Sequence, residues 1–219
     1  MEYLKKSRRT FMRNFVAGAA GLWVPGAFAE ALTMTPKQNE GPFYPVDLPL
    51  DTDNDLIIIN DLIKPSLGEI THLSGRILDS KGDPIRNALV EIWQVDHHGV
   101  YLHKGSDRAE KRDANFQGFG RFLTGTTGGY YFRTIKPVAY PGRTPHIHFA
   151  VKMNGREKWS TQLYIKGEPQ NEKDFVIRNI KDPAQRESVI HEFTPLPGSK
   201  TGELAVTFDI VMGFNPTDI

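Results

Sequence analysis

The sequence predicts an all-β fold, a two-sheet β-sandwich with a long N-terminal loop segment and few short helices. Three observations lead there. Helical periodicity is weak along the whole chain. Short runs rich in branched and aromatic residues alternate apolar with polar at period two. Clusters of Gly, Pro, Asp and Ser separate those runs, the pattern of a sandwich rather than of alternating helices and strands.

The elements follow in order. Residues 30–70 are loop-rich, with Pro36, Pro42, Pro45, Pro49 and Pro65 around one apolar patch, "LIII" at 56–59. Thr71 to Asp96 reads as strand, turn, strand, with "DSKGDP" supplying the turn. Gly118 to Ile135 reads as a second such pair around "TGTTGG". The runs "HIHFAVKM" (146–153), "KWSTQLYI" (158–165) and "GELAVTFDIVM" (202–212) complete the strands. In the last run Leu204, Val206, Phe208, Ile210 and Met212 share a face. One helix is expected, over 182–193, with Asp182 as N-cap and Pro183 in its first position.

The chain has 219 residues and no cysteine, so disulfides and thiolate metal sites are excluded, and any metal must be held by nitrogen and oxygen. The first 29 residues read as a twin-arginine signal peptide. "SRRTFMR" at 7–13 fits that export pattern. The apolar run 15–29 is too short to span a bilayer and ends in the small-x-small signal Ala27-Phe28-Ala29. The expected partner there is the twin-arginine export machinery, and the expected location is periplasmic or secreted. Residues 30–219 form the expected single β-sandwich domain, long enough to bury a sizeable core. Residues 1–29 carry five of the 27 Lys/Arg and one of the 26 Asp/Glu, which leaves 22 against 25 and a net charge of −3. That balance favours neither nucleic acid nor an anionic membrane as partner of the mature form.

The run "AYPGRTPHIHF" (139–149) carries the chemistry. Ile147, Phe149, Val151 and Met153 define the core face of its strand. His146 and His148 leave together on the other face, spaced so that both imidazoles can bind one ion. A lone His-x-His also fits two structural histidines. A cupin-type site would need a carboxylate three or four residues later, and 151 and 152 are Val and Lys. Tyrosines flank the strand instead, Tyr140 before it and Tyr101 after "LVEIWQV". A phenol with a pKa of about 10 ligates only a strongly charged cation such as ferric iron.

Taken together, "GRILDSKGDPIRNALVEIWQVDHHGVYLH", "FGRFLTGTTGGYYFRTIKPVAYP", "RTPHIHF" and "TPKQNEGPFYP" resemble the intradiol ring-cleaving dioxygenases, the protocatechuate 3,4-dioxygenase and catechol 1,2-dioxygenase group. The resemblance covers about Thr35 to Ile165. It implies an Fe(III) cofactor held by Tyr101, Tyr140, His146 and His148, with Tyr130 and Tyr131 as competitors for the second tyrosine. It implies catalytic roles for Arg143, Gln162 and a departing Tyr140. Gly41, Pro42 and Trp93 would line the substrate pocket, although Trp93 also reads as plain core. The implied substrates are a small-molecule catechol and O2, with cleavage between the two hydroxyl-bearing carbons to a cis,cis-muconate-type diacid. Family members are commonly oligomeric, which suggests a homo-oligomer. His97, His98 and His103 read as loop residues, and His72 and His191 have no functional case. The chain departs from the family pattern in its short Tyr140–His146 loop and in Gly142, where an aromatic often follows the Tyr-Pro. Two rival readings remain: a transthyretin-like secreted binding module carried by residues 71–93, and a Zn(II) or Fe(II) enzyme on the same histidines.

Overall fold

The computed structural model describes residues 32–59, 64–106 and 108–213, so the expected export segment lies outside the described residues. The strands are β1 (Ile70–Leu78), β2 (Leu89–Trp93), β3 (Phe119–Leu123), β4 (Gly129–Ile135), β5 (His146–Lys152), β6 (Trp159–Ile165), β7 (Ile190–His191), β8 (Thr194–Pro195), β9 (Leu204–Thr207) and β10 (Ile210–Val211). They form two five-stranded sheets. In the first, β1 pairs antiparallel with β4 along one edge and parallel with β9 and β10 along the other, and β8 joins β9. The second has the order β3-β2-β5-β6-β7. The architecture is the expected all-β sandwich.

The main core is built from alternate residues of both sheets. It takes Leu73 and Ile77 from β1, Phe132 from β4, Val90 and Ile92 from β2, and Ile147, Phe149 and Val151 from β5. Fully burying a side chain of this kind contributes about 1.5–3 kcal/mol. The opposite face of β2 and β5 is also covered. There Trp93, Val95, Tyr101, Phe119 and Ala150 form a second buried cluster, with Phe43, Tyr44 and Tyr140 packed against it. This second layer surrounds the histidines.

Both strand-turn-strand segments are present, but neither is a hairpin. β1 and β2 belong to different sheets, as do β3 and β4, so "DSKGDP" and "TGTTGG" carry the chain from one layer to the other. The 202–212 run keeps its apolar alternation and its register against β1 but breaks between β9 and β10. There the Arg76 N–H donates to the Asp209 carboxylate at 2.8 Å instead of to a backbone carbonyl, and the Tyr130 hydroxyl donates to the Phe208 carbonyl. Gly75 lets the strands approach, since a Cβ there would lie 1.9 Å from the Phe208 oxygen.

The helix expected over 182–193 is shorter than the sequence suggests. It spans Pro183–Glu187, and Asp182 caps it through the N–H groups of Ala184 and Gln185. Ile190 and His191 pair instead with the edge of β6, because completing a sheet edge outweighs a short helix's own propensity. A second short helix, Phe175–Asn179, escaped the periodicity reading. Asp174 caps it by accepting from the N–H groups of Val176 and Ile177.

Candidate metal centre

β-sheet register aligns much of the site. Trp93 on β2, His148 on β5 and Gln162 on β6 are direct cross-strand neighbours, and His146 lies opposite Tyr164. Tyr101 arrives from the loop after β2. Asp96 shapes that loop, accepting from the N–H groups of His98 and Val100 with one oxygen and from that of Asp113 with the other. Tyr140 and Arg143 are the ends of a tight turn closed by a 3.0 Å bond from Arg143 N–H to the Tyr140 carbonyl. Pro141 and Gly142 (φ 81°) occupy its centre, the pattern of a type II turn.

These elements bring the four expected ligands together. The Tyr101 hydroxyl lies 2.9 Å from His148 Nε2 and 3.3 Å from His146 Nε2, and the two imidazole nitrogens are 3.0 Å apart. The Tyr140 ring stands edge-on to Tyr101 at 5.3 Å and 5.5 Å from the His146 ring. Tyr101, His146 and His148 are buried, and Tyr140 is half-buried. Metal–ligand bonds of about 2.0–2.2 Å set near right angles put adjacent donor atoms about 3 Å apart, so the observed triangle fits one ion.

The electrostatics suit that use. Burial, reinforced by Arg143, pushes His146 down to about 3 against the one hydrogen bond that favours its charged form, the 2.7 Å contact with the Thr144 carbonyl. Burial, then the neighbouring His146 and Arg143, also hold His148 well below the ordinary histidine range. Both rings are therefore neutral. In His146 the bond to Thr144 puts the hydrogen on Nδ1 and leaves the Nε2 lone pair facing the site. Burial, then the neighbouring Tyr140 phenol, raise Tyr101 well above a free phenol. Only a strongly charged cation would displace that proton. Among the described residues no cluster of three or more His, Cys, Asp or Glu could hold a metal. The donors that converge are two imidazoles and two phenols, a nitrogen and oxygen set that could hold iron.

Arg143 and Gln162 lie beside this set. The Arg143 guanidinium donates to Gln162 Oε1 at 2.6 Å and approaches the Tyr140 hydroxyl at 3.5 Å. Gln162 in turn donates to the Asn39 carbonyl. Gly41, in the left-handed region at φ 75°, passes close enough that a Cβ would sit 3.7 Å from the His148 ring, and Pro42 next to it is exposed. Trp93 is fully buried and stacks flat on His148 at 4.7 Å, so it backs a candidate ligand instead of lining an open wall.

Residues named as competitors or bystanders lie elsewhere. Tyr130 is in the main core, and the Tyr131 hydroxyl contacts His72 at 2.6 Å. His97 and His98 are exposed, and His103 meets the edge of Phe43. His191 contacts the Ser188 carbonyl.

Three neighbours escaped the sequence reading. Phe43 stacks on Tyr101 at 4.7 Å and 17°. The Tyr164 hydroxyl reaches both Gln38 and Gln162. Asp174, fully buried, takes Arg143 Nε at 2.8 Å and the Thr144 N–H at 3.1 Å on one oxygen while its other oxygen caps the helix. Its only sequence signal was an acidic residue before an apolar run.

Comparison with known proteins agrees with this geometry. The family described as Dioxygenase matches residues 39–213. The chain is 38% identical over 154 residues to the protocatechuate 3,4-dioxygenase beta chain of Burkholderia cepacia, covering 67% of this chain and 65% of that one, just under two thirds of the relative's length. It is 32% identical over 194 residues to the protocatechuate 3,4-dioxygenase alpha chain of Pseudomonas putida, covering 83% and 92%. A solved dioxygenase domain, from a dioxygenase carbohydrate-binding protein fusion of Streptomyces sp. SirexAA-E, superposes with a TM-score of 0.63 at 30% identity, covering 84% of this chain and 100% of that one. The match runs far beyond the strand-turn-strand at 71–93 and takes in all four convergent Tyr and His residues, so the chain belongs to the intradiol dioxygenase family.

Proposed function

We propose that the protein is a non-haem Fe(III) dioxygenase that inserts both atoms of O2 into a catechol, cleaving the ring between its hydroxyl-bearing carbons to a cis,cis-muconate-type diacid. The observation that carries this reading is the triangle of Tyr101 Oη, His146 Nε2 and His148 Nε2, with edges of 2.9–3.3 Å and a second phenol beside it. Catechol and protocatechuate are the first substrates to try, the latter because two of the relatives are protocatechuate dioxygenase chains. The "SRRTFMR" segment supports export of the folded, metal-loaded protein through the twin-arginine machinery to the periplasm or beyond.

Tyr101, Tyr140, His146 and His148 would hold the ferric ion, which when bound withdraws electron density from the catechol and makes the ring reactive towards O2. The rest falls to the chain. Tyr140 is the half-buried member of the set and the one Arg143 approaches, so it can yield its place and take a proton from a catechol hydroxyl at its phenol oxygen. Arg143 keeps its charge. Burial opposes that charge, but the Asp174 hydrogen bond and carboxylate outweigh burial and raise its pKa. A fixed guanidinium beside the reacting ring stabilises negative charge developing there. Gln162 fixes the guanidinium's outer nitrogen. Phe43 and Trp93 cover the inner ligands and exclude water.

The test is an oxygen-uptake screen of the iron-loaded protein across a catechol panel, with the product identified as a ring-opened diacid. The visible spectrum should show a strong phenolate-to-iron charge-transfer band. A colourless protein that holds stoichiometric iron and consumes no O2 would refute the reading.

A further inference from the structure

Residues 38–47 cross the outer face of β6, β5 and β2 as a strap. Its start is tied down by the Gln38 N–H to the Ser160 carbonyl and by an ion pair between Glu40 and Lys158. Its end is tied by Asp47 to Lys104. Its centre meets a buried charge. On β2, Val90 and Ile92 enter the main core, so Glu91 and Trp93 face the strap. The Glu91 side chain is fully buried and accepts from the Tyr44 hydroxyl at 2.9 Å, Arg121 Nε at 3.0 Å and Lys152 Nζ at 3.0 Å. Lys152 also donates to the Tyr44 hydroxyl at 3.0 Å. That hydroxyl thus has both its donor and its acceptor role satisfied by charged groups.

A buried carboxylate is a poor source of net stability, because desolvation offsets most of what its partners return. What it supplies is direction. The Tyr44 ring stands edge-on to Trp93 at 5.1 Å, and Trp93 lies flat on His148. The preceding residue, Phe43, lies flat on Tyr101. Two consecutive strap residues therefore brace two of the four candidate ligands, and both depend on where one hydroxyl is held.

We propose that Glu91 and Lys152 form a latch on the Tyr44 hydroxyl that seats Phe43 against Tyr101 and braces Trp93 against His148, making Tyr44 a positioning residue that governs how firmly the site retains its metal. The inference rests on the metal-binding role proposed for Tyr101 and His148.

Tyr44→Phe removes only the hydroxyl and keeps the ring. In the metal-free protein, amide hydrogen exchange over residues 38–47 should become about tenfold faster in this variant. In the iron-loaded protein, iron loss to a chelator should also accelerate about tenfold, the lower end of the effect of groups that orient ligands, and the charge-transfer band should shift. Lys152→Met should move the same readouts in the same direction. Phe43→Ala should speed iron loss alone but add little in the Tyr44→Phe background. Unchanged exchange and iron loss in both Tyr44→Phe and Lys152→Met would overturn the latch. So would a Phe43→Ala effect that multiplies undiminished with Tyr44→Phe. A wild-type protein that takes up no iron would refute the metal reading, and exchange in the metal-free protein would still decide the latch.

Discussion

Asp174 shows how one side chain can serve the fold and the site together. One oxygen caps the 175–179 helix, and the other holds Arg143 and the Thr144 N–H. Asn caps helices as well as Asp, so Asp174→Asn separates the two roles. The cap can persist, while an amide NH2 now faces two N–H donors and releases the guanidinium. We expect kcat to fall about 10- to 100-fold, with little further loss when the change is made in an Arg143→Ala background. An equal loss in both backgrounds would make Asp174 structural only. The candidate ligands give a sharper contrast. Tyr101→Phe and His148→Ala should each lose iron or its visible band, whereas His98→Ala, on an exposed loop, should keep both. Metal content and absorption spectra check this directly, and equal loss from all three would mean the centre lies elsewhere.

The β9–β10 break makes its own prediction at the level of elements. Gly75→Ala would drive a Cβ into the Phe208 carbonyl, which β10 cannot yield without losing its register on β1. The cost should be at least about 2–3 kcal/mol in denaturant unfolding, and a wild-type midpoint would show that the approach is looser than it looks. This bulge also shows what the sequence could and could not reveal. Branched residues and turn signals mark the long strands, and period-two alternation separates the histidines of 146–153 from Ile147, Phe149 and Val151 because side-chain direction is a local property. It also marked Leu204 to Met212 as one face but could not see the break, which depends on Arg76 and Tyr130 from other strands. Turn residues fixed where β1 and β3 end but not which sheet receives the chain next, since that is decided by packing. For the same reason the helix at 183–187 was over-extended into β7. Of the site, the residues read from motifs converge, while Phe43 and Tyr164 lack a local pattern, and the local signal of Asp174 marks only a helix cap; their roles at the site emerge from contacts across more than 25 residues of chain.

For the molecule as a whole, the second apolar layer holds two imidazoles neutral inside the sandwich, at the site proposed to bind iron. Neutral burial makes metal-free stability depend on pH. His146 titrates near 3 in the folded state, against about 6.5 when unfolded, and His148 is displaced in the same direction. A lowered folded-state pKa means the stabilisation is complete above the unfolded value and is lost as pH falls. At pH 5 the unfolded chain binds protons that the folded one refuses, which costs about 2 kcal/mol for His146 and adds a cost of the same sign for His148. The urea midpoint of the metal-free protein should therefore drop between pH 7.5 and pH 5, before most carboxylates titrate. The double variant His146→Gln, His148→Gln should lose most of that slope, because glutamine takes up no proton. Iron-loaded protein should be more stable at pH 7.5 by mass action but lose that advantage on acidification, since protons compete for the same nitrogens. A metal-free midpoint that stays level from pH 7.5 to pH 5 would mean that these rings accept protons in the folded state, and that the apolar layer around them admits water.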